Sequence, residues 1–179
     1  MNLKSAHIII IGGGVIGTSI AYHLARRKLH VTLLERGDIA SGSSGACDGL
    51  VFLQSKKPGI HLELAMESRR RFDDLAQRLP VPVDFRKTGG MVVVETESEM
   101  AAMEQYVKSQ QQIGLDVHLL DADNARRLEP QLAEDLLGAA YSPLDGQVNP
   151  IALTLGFALG AKALGARIIT GAAVHGIET

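Results

Sequence analysis

Gly12-x-Gly14-x-x-Gly17 and Glu35 are the residues whose types and spacing point most directly to chemistry. Three glycines at this spacing, directly after the β-branched run Ile8–Ile11, suit a turn that brings backbone close to a pyrophosphate. Gly12 permits the tight turn, and Gly14 leaves room where a Cβ would collide with the phosphates. Gly17 lets the following helix lie close to the strand. The helix N-terminus then offers unpaired N–H groups and partial positive charge to the anion. Glu35 falls at the end of the next apolar run, where a carboxylate can accept hydrogen bonds from both ribose hydroxyls of an adenosine. The same carboxylate repels a 2′-phosphate, which disfavours NADP. The competing reading is a glycine turn without a ligand and an acid that faces water.

A second stretch, Arg36-Gly-Asp-Ile-Ala-Ser-Gly-Ser-Ser-Gly-Ala-Cys-Asp-Gly49, replaces the regular crossover helix that a plain NAD domain carries after the acid. Ser41, Ser43 and Ser44 can donate to phosphate or ribose, and Gly42, Gly45 and Gly49 let backbone approach a flat ring. The composition equally fits a flexible surface loop. Cys47 reads as a reactive thiol or, more simply, as a small residue packed under this loop. Asp48 reads as a base or as a partner for its own loop.

These residues need elements to hold them. The run Ile8–Ile11 predicts a strand buried on both faces of a parallel sheet. Ile16, Ile20 and Leu24 share one face of the helix that follows, with Ala21 and Ala25 beside them. Arg26, Arg27 and Lys28 fall in its last turn, and Lys28-Leu29-His30 turns into a second buried strand, Val31–Leu34. This is a β-α-β unit. Beyond the loop, a helix from about His61 to Leu79 carries Leu62, Ala65, Phe72, Leu75 and Leu79 as its buried stripe, and Pro80 and Pro82 end it. Met91–Val94 predicts a strand. Thr96 and Glu99 form a capping box for a helix carrying Met100, Met103 and Val107, which Gly114 closes. A strand at Val117–Leu120, a short helix capped by Asp121 and a strand near Ala139–Tyr141 follow. Asn149-Pro150 starts a long apolar helix, and strands at Ala166–Ile169 and roughly Ala173–Ile177 finish the pattern. The expected fold class is α/β: a Rossmann-like nucleotide-binding part over residues 1–80, part of an α+β substrate region over 81–145, and a return to the nucleotide-binding part over 146–179.

Composition narrows the partners. Across 179 residues, 46% hydrophobic content supports a real core, and a net charge of −2 gives no electrostatic footprint for nucleic acid. One cysteine rules out an internal disulfide, which favours a reducing, cytoplasmic setting; the six histidines are scattered rather than clustered as metal ligands. The apolar start is broken by glycines and runs into basic residues, unlike a signal peptide or a membrane span. Association with a membrane surface through a further part stays open. Other groups carry less. Arg69-Arg70-Arg71 with Asp73-Asp74 reads as a solvated helix face. Gly156-x-x-x-Gly160 reads as close packing on the sheet rather than as helix pairing. His61 and Glu63 read as surface residues at a helix start. No Gly-x-Ser-x-Gly elbow is present.

Three segments together, "IIIIGGGVIGTSIAYHLARR", "VTLLERGDIASGSSGACDG" and "DGQVNPIALTLGFALGAKALGARIITGAAVHGIE", resemble the D-amino-acid oxidase superfamily of FAD enzymes, of the glycine oxidase, sarcosine oxidase and D-amino-acid dehydrogenase type. The resemblance implies that Gly12, Gly14, Val15, Ile16 and Gly17 meet the FAD pyrophosphate, with Ser43 and Ser44 on the phosphate side. It implies Glu35 and Arg36 at the adenosine ribose, Gly49 and Leu50 near the flavin, and the backbone of Val174 at the adenine edge. Many relatives have Asn at the position of Cys47 and a small residue at that of Asp48. The loop lacks the histidine that tethers flavin in some relatives, so the FAD is expected to be non-covalent. Family members are about twice this long, which implies an incomplete fold with an uncovered apolar face and catalytic groups beyond Thr179. The implied activity is oxidation of the C–N bond of an amino acid, N-substituted amino acid or imino acid, with the amino acid or amine as small-molecule substrate. FAD dehydrogenation of a 2-hydroxy acid or glycerol phosphate is the rival enzyme. A non-catalytic nucleotide-binding subunit of a heteromeric dehydrogenase is the rival of another class, and a homo-oligomer is also open.

Overall fold

The computed structural model describes residues 6–178. In chain order the elements are β1 (His7–Ile11), α1 (Val15–Arg26), β2 (His30–Leu34), β3 (Leu50–Val51), α2 (Ile60–Arg78), β4 (Gly90–Val94), α3 (Glu97–Gln112), β5 (His118–Asp121), α4 (Ala122–Leu128), β6 (Gly138–Ser142), β7 (Gly146–Gln147), α5 (Pro150–Ala163) and β8 (Arg167–Ile169). They form two compact units, one of residues up to 49 with 74–84 and 148 onward, the other of residues 50–73 and 85–147.

The first unit is built on a parallel sheet of order β1-β2-β8. β2 is central, pairing Ile8–Ile11 of β1 with Val31–Leu34 and Thr32–Leu34 with Arg167–Ile169. Val31 and Leu33 are buried in consequence. β1, at an edge of the described sheet, departs from the expected fully buried strand: Ile9 is 50% and Ile11 56% exposed. The four-isoleucine run reports the apolar character of the strand; only its neighbours decide how much of it is covered. In α1 the buried stripe is Thr18, Ala21, Tyr22 and Ala25. Ile16 and Ile20 are exposed, against the expected apolar face. Lys28 makes the turn into β2 with a left-handed backbone, φ 60°.

α5 begins as expected, with Asn149 Oδ1 accepting from the Ala152 N–H at 3.0 Å and Pro150 at its first turn. Its two glycines do not pack on the sheet: Gly160 faces α1, and Gly156 faces the segment that follows α2. A Cβ on Gly160 would meet the Tyr22 ring of α1 at 3.0 Å, and one on Gly156 would meet Leu79 at 3.1 Å and Val81 at 3.2 Å. No strand forms over Ala173–Ile177. The segment follows the end of β2 through the Gly171 N–H to Gly37 O (3.3 Å) and the Ala172 N–H to Glu35 O (2.8 Å), then runs on without a ladder. Alternating small and β-branched residues there satisfy the strand pattern, but a strand exists only where a second backbone pairs with it.

The second unit has an antiparallel sheet of order β4-β6-β5 and a two-residue antiparallel pair, β3 with β7. Its main core joins Leu53, Leu62, Val107, Leu115, Val117 and Ala140, and a smaller one joins Ala125, Leu136 and Ala139. The Thr96–Glu99 capping box opens α3, and Asp121 caps α4. Arg69 overturns the expected solvated face. Arg70 and Arg71 do lie outside, paired with Glu67, but Arg69 is 4% exposed. Its guanidinium donates to Leu144 O at 2.7 Å and to Asp73 at 3.0 Å, and it lies 4.7 Å from the centre of the Phe85 ring. These partners satisfy a buried cation that would otherwise be too costly to desolvate.

Candidate functional site

The turn between β1 and α1 is shaped by glycine at each step. Gly12 donates to Leu34 O at 2.8 Å, the last rung beside β2, then turns with φ 110°. Only glycine adopts that conformation without strain. A Cβ on Gly17 would overlap the Gly12 carbonyl, so α1 abuts the strand end only because Gly17 has no side chain. Gly14 is the N-cap residue of α1 and offers no capping side chain. That role falls to Ser44, 29 positions on, whose Oγ accepts from the Val15 N–H at 2.9 Å. The hydroxyl proton of Ser44 remains free to donate, and the first-turn amides of Ile16 and Gly17 have no acceptor within their own helix.

Glu35 closes the other side. One carboxylate oxygen accepts from the Gly13 N–H at 2.6 Å, the other from the Gly37 N–H at 2.8 Å. The Gly37 and Gly13 amides, with the adjacent Arg36 charge, hold this carboxyl below the usual glutamate range, so it is a firm anion. Each oxygen keeps a second lone pair for a hydroxyl donor. The structure adds two residues that spacing alone did not single out. Gly13 is one: a Cβ there would meet Ile39 at 2.7 Å and Glu35 at 2.9 Å. The triple glycine run was its only signal. Ala40 is the other, with a left-handed φ of 67° and an N–H that donates to Gly13 O at 3.1 Å, stitching the Ser/Gly loop to the glycine turn.

Two cavities meet at Glu35 and Arg36. One, of about 350 Å³, is lined by Ile11, Gly12, Leu34 and the segment Ala172–His175, and so contains Val174. The other, of about 160 Å³, is lined by Gly13, Gly14, Ser41, Gly42, Ser43 and Ser44. Gly12, Gly14, Glu35, Arg36, Ser43, Ser44 and Val174 are thus brought around one end of the sheet, with Val15, Ile16 and Gly17 in the first turn of α1. Gly49 and Leu50 line neither cavity. Gly49 has φ 73°, and its carbonyl accepts from the Val148 N–H at 2.9 Å; Leu50 is 56% exposed in β3. Cys47 is exposed instead of packed under the loop, its sulfur 3.6 Å from Ser44 O. His61 and Glu63 are exposed. Among the described residues no helix is long and apolar enough to cross a membrane.

A parallel β-α-β unit with a glycine turn, an anionic strand-end glutamate and a second hydroxyl-rich loop defines an FAD-binding class of α/β protein. The model of the FAD dependent oxidoreductase family matches residues 7–179, and the chain belongs to that family. It is 34% identical over 182 residues to glycine oxidase from Bacillus licheniformis, an alignment covering 98% of this chain and 48% of the relative. It is 32% identical over 177 residues to one of the subunits of the anaerobic glycerol-3-phosphate dehydrogenase from Escherichia coli K12, covering 97% of this chain and 32% of the relative. The crystal structure of glycine oxidase from Geobacillus kaustophilus superposes with a TM-score of 0.84 at 32% identity, over 91% of this chain and 46% of that one. The chain therefore spans about half the length of the glycine oxidases and about a third of the dehydrogenase relative. FAD is the cofactor of the family, and the residues present fit it: glycines leave a cradle at the helix N-terminus, and Ser44 and Glu35 supply a donor and an acceptor at its rim.

Proposed function

We propose that this chain carries the FAD-binding part of an oxidoreductase that acts on the C–N bond of an amino acid, N-substituted amino acid or imino acid. The observation that carries the reading is the Ser44–Val15 contact, which joins the second loop to the N-terminus of α1. A plain NAD domain has no such loop over its pyrophosphate turn; an extended flavin nucleotide uses both. In this reading the amides of Ile16 and Gly17, the cradle at Gly12 and Gly14, and the hydroxyls of Ser43 and of Ser44, itself held by the Val15 N–H, meet the pyrophosphate. Glu35 accepts from the ribose hydroxyls, with Arg36 beside it. The backbone of Val174 meets the adenine edge in the larger cavity, and Gly49 and Leu50 lie at the flavin end. When bound, FAD supplies the hydride acceptor; the protein's share is position and electrostatics. The cofactor is held without a covalent bond. Amino-acid chemistry is favoured by the 34% identity to a glycine oxidase across 98% of the chain.

A second reading has its own observation, the 32% identity to one of the subunits of an anaerobic glycerol-3-phosphate dehydrogenase. Here the substrate is glycerol phosphate, and the protein works within a heteromeric complex. The test is anaerobic titration of the flavin-loaded intact protein. Bleaching by glycine, N-methylated or cyclic amino acids supports the first reading. Bleaching by glycerol 3-phosphate alone replaces it with the second.

A further inference from the structure

The glycine run between β1 and α1 is held one peptide plane at a time. The Gly12 N–H, in the plane shared with Ile11, donates to Leu34 O at 2.8 Å. The Gly13 N–H, in the plane shared with Gly12, donates to Glu35 Oε2 at 2.6 Å. The Gly13 carbonyl, in the plane shared with Gly14, accepts from the Ala40 N–H at 3.1 Å. In the last plane, the Gly14 carbonyl accepts from the Thr18 N–H and hydroxyl, each at 3.0 Å, and the Val15 N–H donates to Ser44. Among the described contacts, the Gly12–Gly13 plane is the one that depends on a charged side chain. Glu35 is itself a fixed strut. Its second oxygen accepts from the Gly37 N–H at 2.8 Å, its N–H donates to Ile169 O at 2.9 Å, and its carbonyl accepts from the Ala172 N–H at 2.8 Å.

A peptide unit is flat, so the bond to the Gly13 N–H also sets the direction of the Gly12 carbonyl. Gly17 packs on that carbonyl: a Cβ on Gly17 would overlap it. Gly17 lies in the first turn of α1, whose unpaired amides suit an anion. Glu35 thus reaches the first turn of α1 through one hydrogen bond and one contact, all within the first unit. A turn held in one shape before a ligand arrives binds it more tightly than one that must first be ordered. The charge of Glu35 acts in the other direction. Glu35 lines the same cavity as Gly13, Gly14, Ser43 and Ser44, where a carboxylate repels a diphosphate. Charge alone predicts that removing Glu35 tightens the hold on a diphosphate ligand without ribose hydroxyls. Loss of the turn contact predicts the reverse.

We propose that Glu35 has a second role beside the ribose: it is a positioning residue for the pyrophosphate turn, acting through the Gly13 N–H whether or not ribose hydroxyls are present. The proposal rests on the reading that this turn holds the FAD pyrophosphate. The test is displacement of flavin from the flavin-loaded intact protein by ADP and by 2′,3′-dideoxy-ADP, which keeps the diphosphate and lacks both ribose hydroxyls. E35A is expected to weaken the competition constant of dideoxy-ADP by about tenfold, the worth of one hydrogen bond to a charged group. ADP should lose more, because its ribose contacts go as well. V31A, a buried position of the same strand, is the control for general loosening. It should lower the melting temperature and leave both constants unchanged. If E35A does not fold, E35M keeps a stem of similar length, removes both acceptors and is read in the same way. Hydrogen exchange of the Gly13 amide in the unliganded parent needs no variant and should be slow. Dideoxy-ADP bound equally well or more tightly by folded E35A or E35M overturns the proposal. So does an equal weakening in V31A, or a parent Gly13 amide that exchanges as fast as an unbonded one. A parent that takes up neither FAD nor ADP sinks the functional reading. A parent that binds both, with dideoxy-ADP indifferent to E35A, sinks this proposal alone.

Discussion

The glycine turn of the first unit and the Asp145 knot of the second both fix a short irregular segment, by opposite means. The turn works by omission: Gly12 takes a backbone angle closed to other residues, and Gly17 leaves out a Cβ that would overlap the Gly12 carbonyl. The knot works by addition, setting the fully buried Asp145 carboxylate against the Leu53 N–H at 2.7 Å and the Gln54 side-chain amide at 2.9 Å. The first leaves amides free for a ligand. The second uses both N–H donors that face its carboxylate and leaves only the buried Gln54 Oε1 without a partner among the described residues. The direction of each pKa follows the same divide. Hydrogen bonds from Gly37 and Gly13 lower the pKa of Glu35, whereas burial raises that of Asp145.

The sharpest way to break the comparison is to fill the space in the turn. G17A should destabilise the first unit by about 1–3 kcal/mol, as overpacking typically does, and weaken FAD binding at least tenfold, or about 1.4 kcal/mol. Thermal unfolding and flavin titration of the intact protein check both. Next comes the knot: D145N faces a buried donor with a donor and should cost about 1–3 kcal/mol in chemical denaturation. S44A removes a cap contact at the N-terminus of α1 and should cost about 1 kcal/mol; S43A should cost less, since its exposed hydroxyl caps nothing in the described contacts.

The pH dependence sharpens the contrast. Glu35 has a folded pKa below its ordinary value of 4.5, so its contribution is full above that pH and lost as pH falls through the folded value. Asp145 has a folded pKa above its ordinary value of 3.8. Between 3.8 and that raised value the folded state holds more protons, so the contribution of Asp145 to stability falls as pH rises. Stability-against-pH curves for E35Q and D145N, each subtracted from the parent, should therefore slope in opposite directions. Same-sign slopes would show that the two carboxylates are not held as described. The smallest effect belongs to C47S: its exposed thiol should change stability by no more than about 0.5 kcal/mol and leave flavin binding alone.

What could be read in advance follows from the same divide. The β-α-β unit, the turn and Glu35 were legible because a backbone requirement leaves a fixed spacing of residue types. The capping box at Thr96 and the start of α5 were legible for the same reason. Strand-length signals failed for β3 and β7, since two residues show no periodicity. Arg69 resembled its neighbours Arg70 and Arg71, and only the tertiary fold supplies Leu144, Asp73 and Phe85 as its partners. Ile9, Ile11, Ile16 and Ile20 show that an apolar pattern predicts a face, whereas exposure depends on what else is packed there. Gly156 and Gly160 signalled close approach but not its target, which proved to be Tyr22 of α1 and Leu79–Val81. The Ser44–Val15 bond was foreshadowed by composition alone; its geometry needed the fold.

The central claim is that the glycine turn and the Ser44 loop together grip one FAD. The most direct measurement is the visible absorption spectrum of the gently purified intact protein, before and after titration with FAD. The account predicts flavin bands at one FAD per chain, released on denaturation. A colourless protein that takes up no flavin from excess FAD would contradict it.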